Sequence, residues 1–125
     1  MVTVAAYKII VVDDKEKARS IYKGFLEKKG FDVEVCANGE EALAKVKTFN
    51  PHCILLDLKM PGMSGLEFLK TLRKEANKTK VIILTGVTDI KITEECHKLG
   101  ISDFIKKPIE FDYLNYAILE AVKQV

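Results

Sequence analysis

Three stretches of this chain are apolar without interruption: Ile9-Ile10-Val11-Val12, Cys53-Ile54-Leu55-Leu56 and Val81-Ile82-Ile83-Leu84. A segment with no polar face has no side to turn toward water. Runs of this length rich in β-branched residues therefore fit strands of a parallel sheet that is covered on both faces. The first strand is expected over Tyr7–Val12, the third over Cys53–Leu56 and the fourth over Val81–Leu84. Two weaker runs complete the set. In Phe31–Val35, Asp32 and Glu34 alternate with apolar neighbours, which suits a partly exposed edge. The fifth strand is placed at about Ser102–Ile105.

Between the strands the apolar period changes to that of a helix. Ala18, Ile21, Tyr22, Phe25 and Leu26 share one face of a stretch that runs to Lys29 and stops at Gly30. A second helix starts near Asn38, where Glu41 three residues on resembles a capping box, and turns Ala42, Leu43 and Val46 inward. Ser64 and Glu67 form a better box for a helix carrying Leu66, Leu69 and Leu72. A short helix follows at about Asp89–Leu99 and ends at Gly100. The last, Phe111–Lys123, presents Leu114, Ala117, Ile118 and Ala121. Strict alternation of strand and helix predicts an α/β fold of flavodoxin-like, doubly wound (βα)5 type, with a five-stranded parallel sheet in the order 2-1-3-4-5 and right-handed crossovers.

With 125 residues and no internal break, the chain reads as a single domain over 1–125, its core at about 7–123, with no second domain beside it. A net charge of +2, carried by scattered lysines and arginines, gives no footprint for direct nucleic-acid binding. No segment reaches the roughly 20 apolar residues of a membrane span, and the first residues lack the pattern of a signal peptide. Three cysteines, Cys36, Cys53 and Cys96, form no CxxC pair and read as free thiols in a reducing compartment. The expected location is the cytoplasm.

Ligands of open α/β sheets bind beyond the carboxyl ends of the strands, near the switch in strand order. The residues there are Asp13 and Asp14 after strand one, Asp57 after strand three, Thr85 after strand four and Lys107 after strand five. Strand two, at the far edge, offers only Ala37 and Asn38. In the predicted order the four polar ends converge on Asp57. Carboxylates that close repel, by about 4 kcal/mol per pair at 4 Å and an effective dielectric near 20. Lys107 supplies one positive charge, and Mg²⁺, an oxygen-seeking divalent ion, is the natural second. No His or Cys cage for zinc is present. A metal, an ammonium, a hydroxyl and a nucleophilic carboxylate are together the parts that phosphoryl transfer uses.

The sequence resembles the receiver domains of two-component response regulators, of the chemotaxis-regulator type. The residues that carry the likeness are Val11-Val12-Asp13-Asp14, Leu55-Leu56-Asp57-Leu58-Lys59-Met60-Pro61-Gly62, Leu84-Thr85-Gly86 and Phe104-Ile105-Lys106-Lys107-Pro108. The resemblance implies that Asp57 accepts a phosphoryl group from a sensor histidine kinase or a histidine phosphotransfer protein. It implies that Asp13, Asp14, Asp57 and the backbone carbonyl of Lys59 hold Mg²⁺, Asp14 more directly than Asp13. Lys107 would pair with the phosphoryl oxygens, and Thr85 would bond to them. Phe104 would then turn inward and reshape the face of helix four, strand five and helix five, where a downstream protein or output domain binds; a phosphorylation-dependent dimer is compatible with this scheme. The chain would be no turnover enzyme, catalysing only its own phosphoryl transfer and dephosphorylation. Phe104 stands where Tyr is common, and Lys59 and Val87 occupy positions that tune dephosphorylation in the family.

Two other readings compete. A degenerate receiver would keep the fold as an interaction module that works unphosphorylated. An aspartyl phosphatase of the dehalogenase type wants DxD, and Lys59 replaces the second acid. No P-loop or GxGxxG is present. His52 and His97 belong to no metal-binding pattern and read as ordinary residues, while Tyr113 and Tyr116 fit either a partner surface or normal packing.

Overall fold

The computed structural model describes residues 6–86 and 89–123. Five strands, β1 (Lys8–Val12), β2 (Asp32–Cys36), β3 (Cys53–Leu56), β4 (Lys80–Thr85) and β5 (Asp103–Lys106), alternate with five helices. The helices are α1 (Glu16–Lys28), α2 (Gly39–Phe49), α3 (Gly65–Lys74), α4 (Ile90–Lys98) and α5 (Phe111–Lys123). All strand pairs are parallel, in the order β2-β1-β3-β4-β5. This is the flavodoxin-like order expected from the sequence.

The apolar runs feed two separate cores, because successive side chains leave a strand on opposite faces. Ile9, Val11, Cys53, Leu55, Ile82 and Leu84 pack with Tyr22 and Leu26 of α1 and with Leu114, Ala117, Ile118, Ala121 and Val122 of α5. Ile10, Val12, Ile54, Leu56, Val81 and Ile83 pack on the other face with Ala42 and Val46 of α2, Phe68, Leu69 and Leu72 of α3, and Cys96 of α4. Burying one such aliphatic side chain contributes about 1.5–3 kcal/mol, so this interleaving fixes the register on both faces at once.

Several local expectations change in detail. Ile21, expected on the inner face of α1, is 50% exposed; it borders a groove with Ala18, Tyr22, Pro108, Ile109 and Phe111 that the sheet does not fill. β2 begins and ends one residue later than the apolar pattern suggests, and β4 extends through Thr85. The Ser64 capping box of α3 is complete. That of α2 is not: the Asn38 side chain accepts the Glu41 N–H at 2.9 Å, but the Glu41 carboxylate reaches back to the Ala37 N–H instead of that of Asn38. Phe68, absent from the expected inner face of α3, is fully buried. Gly30 (φ 95°) and Gly100 (φ 75°) end α1 and α4 in the left-handed region. Val87 lies outside the described residues.

β2 is an edge strand, as its alternating charges imply. The Lys23 ammonium of α1 donates to the Val33 carbonyl at 3.2 Å. One of the edge acceptors that could otherwise pair with another chain is thereby occupied.

Candidate functional site

Every strand of the inner sheet delivers its polar residue at the same end. β1 stops at Val12 and the next residue is Asp13; β3 stops at Leu56 and the next is Asp57; β4 ends on Thr85 itself. Backbone pairing continues just past the strand ends. The Asp57 N–H donates to the Val12 carbonyl at 3.0 Å, and the Lys107 N–H donates to the Thr85 carbonyl at 2.9 Å. These bonds carry the parallel alignment into the loops and set the height of each functional side chain. Asp13, Asp57 and Thr85 are the buried polar residues among those described, at 2%, 4% and 0% exposure.

Asp13, Asp14 and Asp57 each contribute a carboxylate oxygen to a cluster in which the three oxygens lie within 4.8 Å of one another. The Lys107 ammonium reaches into it, 3.2 Å from Asp57 Oδ2 and 3.4 Å from Asp13 Oδ2. Burial acts to lower the Lys107 pKa, but the Asp57 and Asp13 carboxylates and the hydrogen bond to Asp57 more than reverse this. The amine is held above its ordinary value, and so it stays charged at neutral pH. Within the cluster three carboxylates face one ammonium, so negative charge is in excess there.

The two neighbouring acids are held differently. Asp13 has all its polar atoms engaged: its N–H donates to the Cys36 carbonyl at 3.1 Å. Its carbonyl accepts from Arg19 Nη1 at 2.9 Å, Oδ1 accepts the Lys15 N–H at 2.9 Å, and Oδ2 faces Lys107. Asp14 Oδ1, in contrast, is buried and accepts no hydrogen bond. The Lys15 ammonium stands 3.6 Å from it, within ion-pair range only. A buried carboxylate oxygen without a donor is costly. An all-oxygen cluster with one such open atom and an excess of negative charge fits a hard divalent cation such as Mg²⁺.

The structure brings together Asp13, Asp14, Asp57 and Lys107, with Thr85 at the same strand ends. Lys59 enters through its backbone: its N–H donates to Asp57 Oδ1 at 3.2 Å, while its side chain is exposed. Phe104 stands apart. It is half-buried on β5, opposite Ile83, with its ring 6.3 Å from that of His97 on α4. His52 accepts the Lys8 N–H through Nδ1 at 2.9 Å, away from the cluster. Tyr113 and Tyr116 are exposed on α5, and the Tyr113 hydroxyl donates to Asp103 at 2.6 Å.

Three contributors escaped the sequence reading. Gly65 opens α3 against the loop that carries Asp57; a Cβ there would run into the Asp57 carbonyl and come within 2.7 Å of Leu58 Cα. The position next to a helix N-cap, in a loop after a strand, was the available signal. Tyr22 lies in the field of the cluster. Burial pushes its phenol up, Lys107 pulls it back, and Asp13 and Asp57 push it further. Arg19 is the third, and only the fold discloses its reach to Asp13.

Residues 9–119 match the model of the response regulator receiver domain. The chain belongs to that family. Sporulation initiation phosphotransferase F of Bacillus subtilis (strain 168) is 33% identical over 111 residues, which are 89% of this chain and 90% of that protein. The transcriptional regulatory protein FixJ of Bradyrhizobium diazoefficiens is 32% identical over 116 residues, 93% of this chain but 57% of FixJ. The match to the regulatory protein AtoC of Escherichia coli spans only 26% of that protein. Such relatives thus extend well beyond the matched region. Among solved structures, the chemotaxis protein CheY4 of Vibrio cholerae superposes with a TM-score of 0.81 at 30% identity, covering 97% of this chain and 99% of that one. The Francisella response regulator 1452 receiver domain gives 0.88 at 34%, covering 94% and 98%.

Receiver domains typically bind Mg²⁺ through an acidic cluster and work with histidine kinases and output domains, and here Asp13, Asp14 and Asp57 form a cluster of acids. They are not enzymes in general, apart from transferring a phosphoryl group to themselves. Among the described residues, no helix of this receiver domain is long and apolar enough to cross a membrane.

Proposed function

We propose that this receiver domain is a phosphorylation-controlled switch in the cytoplasm, in which Asp57 accepts a phosphoryl group from a phosphohistidine on a sensor kinase or phosphotransfer protein. The observation that carries this is the pairing of a 4%-exposed Asp57 carboxylate with the Lys107 ammonium at 3.2 Å, inside a cluster of two further acids. A carboxylate oxygen of Asp57 attacks phosphorus, the bond from phosphorus to the imidazole nitrogen breaks, and the imidazole leaves with the electron pair. Lys107 neutralises charge on the phosphoryl oxygens, and the Thr85 hydroxyl donates to one of them.

Asp13, Asp14, Asp57 and the Lys59 carbonyl would hold Mg²⁺, with Asp14 Oδ1 the most open ligand. Mg²⁺ supplies charge neutralisation to the oxygens of the transferring group. Asp13 and Asp57 each accept a backbone N–H on Oδ1, which restrains both carboxylates.

Phosphorylation then biases the domain. Each hydrogen bond to a charged group contributes about 1.5–3 kcal/mol, and a swing from 1:99 to 99:1 takes roughly 5.5 kcal/mol. Two or three new bonds from Thr85, Lys107 and backbone donors are enough. Phe104, half-buried beside His97, is the group that moves inward. The face of α4, β5 and α5, which carries exposed Tyr113 and Tyr116, is the one offered to a downstream protein, an output domain or a second phosphorylated copy.

Incubation with acetyl phosphate and Mg²⁺ tests the reading. The intact mass is expected to rise by one phosphoryl group in the parent and to stay unchanged in Asp57→Asn. A parent that never gains mass is a module that works unphosphorylated, and the switch reading is then wrong.

A further inference from the structure

We infer that Arg19 is a positioning residue for the divalent cation: it sets the Asp13–Asp14 peptide so that the Asp14 carboxylate is aimed into the pocket. The inference rests on the metal reading of the cluster given above. The Asp13 carbonyl, to which Arg19 Nη1 donates at 2.9 Å, belongs to the very peptide that joins the two acids. Fixing that oxygen fixes the plane from which Asp14 departs. The neighbouring hydrogen bonds hold only Asp13, its N–H on Cys36, its Oδ1 on the Lys15 N–H and its Oδ2 toward Lys107, while Asp14 has just the exposed Lys15 ammonium 3.6 Å from Oδ1. Asp14 Oδ1 is left buried with no hydrogen bond. Its position therefore depends on the backbone that bears it, and Arg19 is the side chain that grips that backbone.

The bond is charge-assisted, donated from the start of α1 to the loop that carries both acids. Arg19 is half-buried and grips the carbonyl through one planar guanidinium nitrogen, Nη1, whose position a lysine ammonium on its shorter stem does not reproduce.

Simple electrostatics and positioning predict opposite signs for its removal. Arg19→Met deletes a positive charge near three carboxylates, which through space alone would tighten Mg²⁺ binding. A lost positioning contact weakens it. Titration calorimetry of the whole chain with MgCl2 is expected to give a Kd on the order of tenfold higher for Arg19→Met, equivalent to about 1.4 kcal/mol. Arg19→Lys, which keeps the charge but changes the reach and geometry of the donor, is expected to fall between parent and Arg19→Met. Lys17→Met, an exposed charge deletion on the same helix, is expected to leave the Kd unchanged or slightly lower.

Thermal melts in EDTA identify the temperature at which each variant is fully folded, and the titrations are run there; should Arg19→Met not fold, Arg19→Lys decides. Unchanged or tighter Mg²⁺ binding by Arg19→Met, or by Arg19→Lys alone in that case, overturns the inference. If Asp14→Asn abolishes binding while the Arg19 variants retain parental affinity, the metal site stands and only the role of Arg19 falls. If the parent itself binds no Mg²⁺, the metal reading and the inference fall together.

Discussion

Asp13 and Asp14 are adjacent and chemically identical, and the fold gives them opposite surroundings. One is bonded at every polar atom; the other keeps a buried oxygen free of donors. The cysteines make the same point about environment. Cys53 is fully buried and its thiol is pushed up to about 12, mainly by burial; burial pushes that of Cys36 up to about 11. An unfolded thiol ionises near pH 9, while these native thiols keep their protons. The unfolded chain therefore binds fewer protons as pH rises from about 9 toward 11–12, and native stability falls over that window. Disulfide-exchange reagents at pH 8 are expected to find the three buried thiols protected in the native chain and all three reactive in urea. Fast labelling of the native protein would contradict this.

At the scale of elements, α4 is the helix most lightly attached. Cys96 is its one buried residue, Ile90 at its start is 71% exposed, and Lys70 pairs with Glu95 at 3.1 Å. Its C-terminal end is held by Arg73 of α3. Nε donates to the Leu99 carbonyl at 2.7 Å, Nη2 to Gly100 at 3.2 Å, and Nη1 to Asn77 at 2.9 Å and Thr79 at 3.0 Å. One side chain thus closes two loops, α3–β4 and α4–β5. Arg73→Ala is expected to cost about 2–4 kcal/mol, since several carbonyls lose a charged donor together. The urea midpoint should drop with little change in slope, and amide exchange should rise first at Leu99–Ser102. A midpoint within experimental error of the parent would show that water replaces the guanidinium at no cost. The sequence could not disclose this clamp. An arginine in a helix reads as a solvated charge until a loop from 26 residues away is brought beside it. Ile21 failed in the opposite direction: helical period put it inward, but α1 covers the sheet with Tyr22 and Leu26 and leaves Ile21 over a groove. Period tells which residues share a face, not how wide a strip of that face is covered.

For the molecule as a whole, the pocket is a stored repulsion. In EDTA, Asp14→Asn is expected to melt higher than the parent, by roughly 3–6 °C for each kcal/mol of repulsion relieved. Mg²⁺ at ten times its Kd should then raise the parent by about 1.4 kcal/mol and leave the variant where it was. Differential scanning calorimetry with and without MgCl2 reads both effects; a variant less stable than the parent in EDTA would mean that Asp14 is compensated locally. The architecture and the members of this pocket were legible in the sequence, because uninterrupted apolar runs mark central strands and a parallel sheet sends all their next residues to one end. Asp13, Asp14, Asp57 and Thr85 follow from that rule, whereas Lys107, two residues past the weaker fifth run, is singled out by its match to the family's Lys-Pro pair. Arg19 and Gly65 did not, since their roles depend on backbone atoms they approach across a turn or a loop.

Strand length in this chain acts as a ruler. Each inner strand ends on or one residue before its working group, so the number of residues in the strand measures that group's height above the sheet. Inserting two residues into β3 would preserve the alternation between the two cores, and the chain could still fold. It would also lift Asp57 by about 6–7 Å, at 3.2–3.4 Å per residue, beyond the grasp of Lys107. The sheet tolerates many exchanges of one apolar residue for another, but not a change in the count.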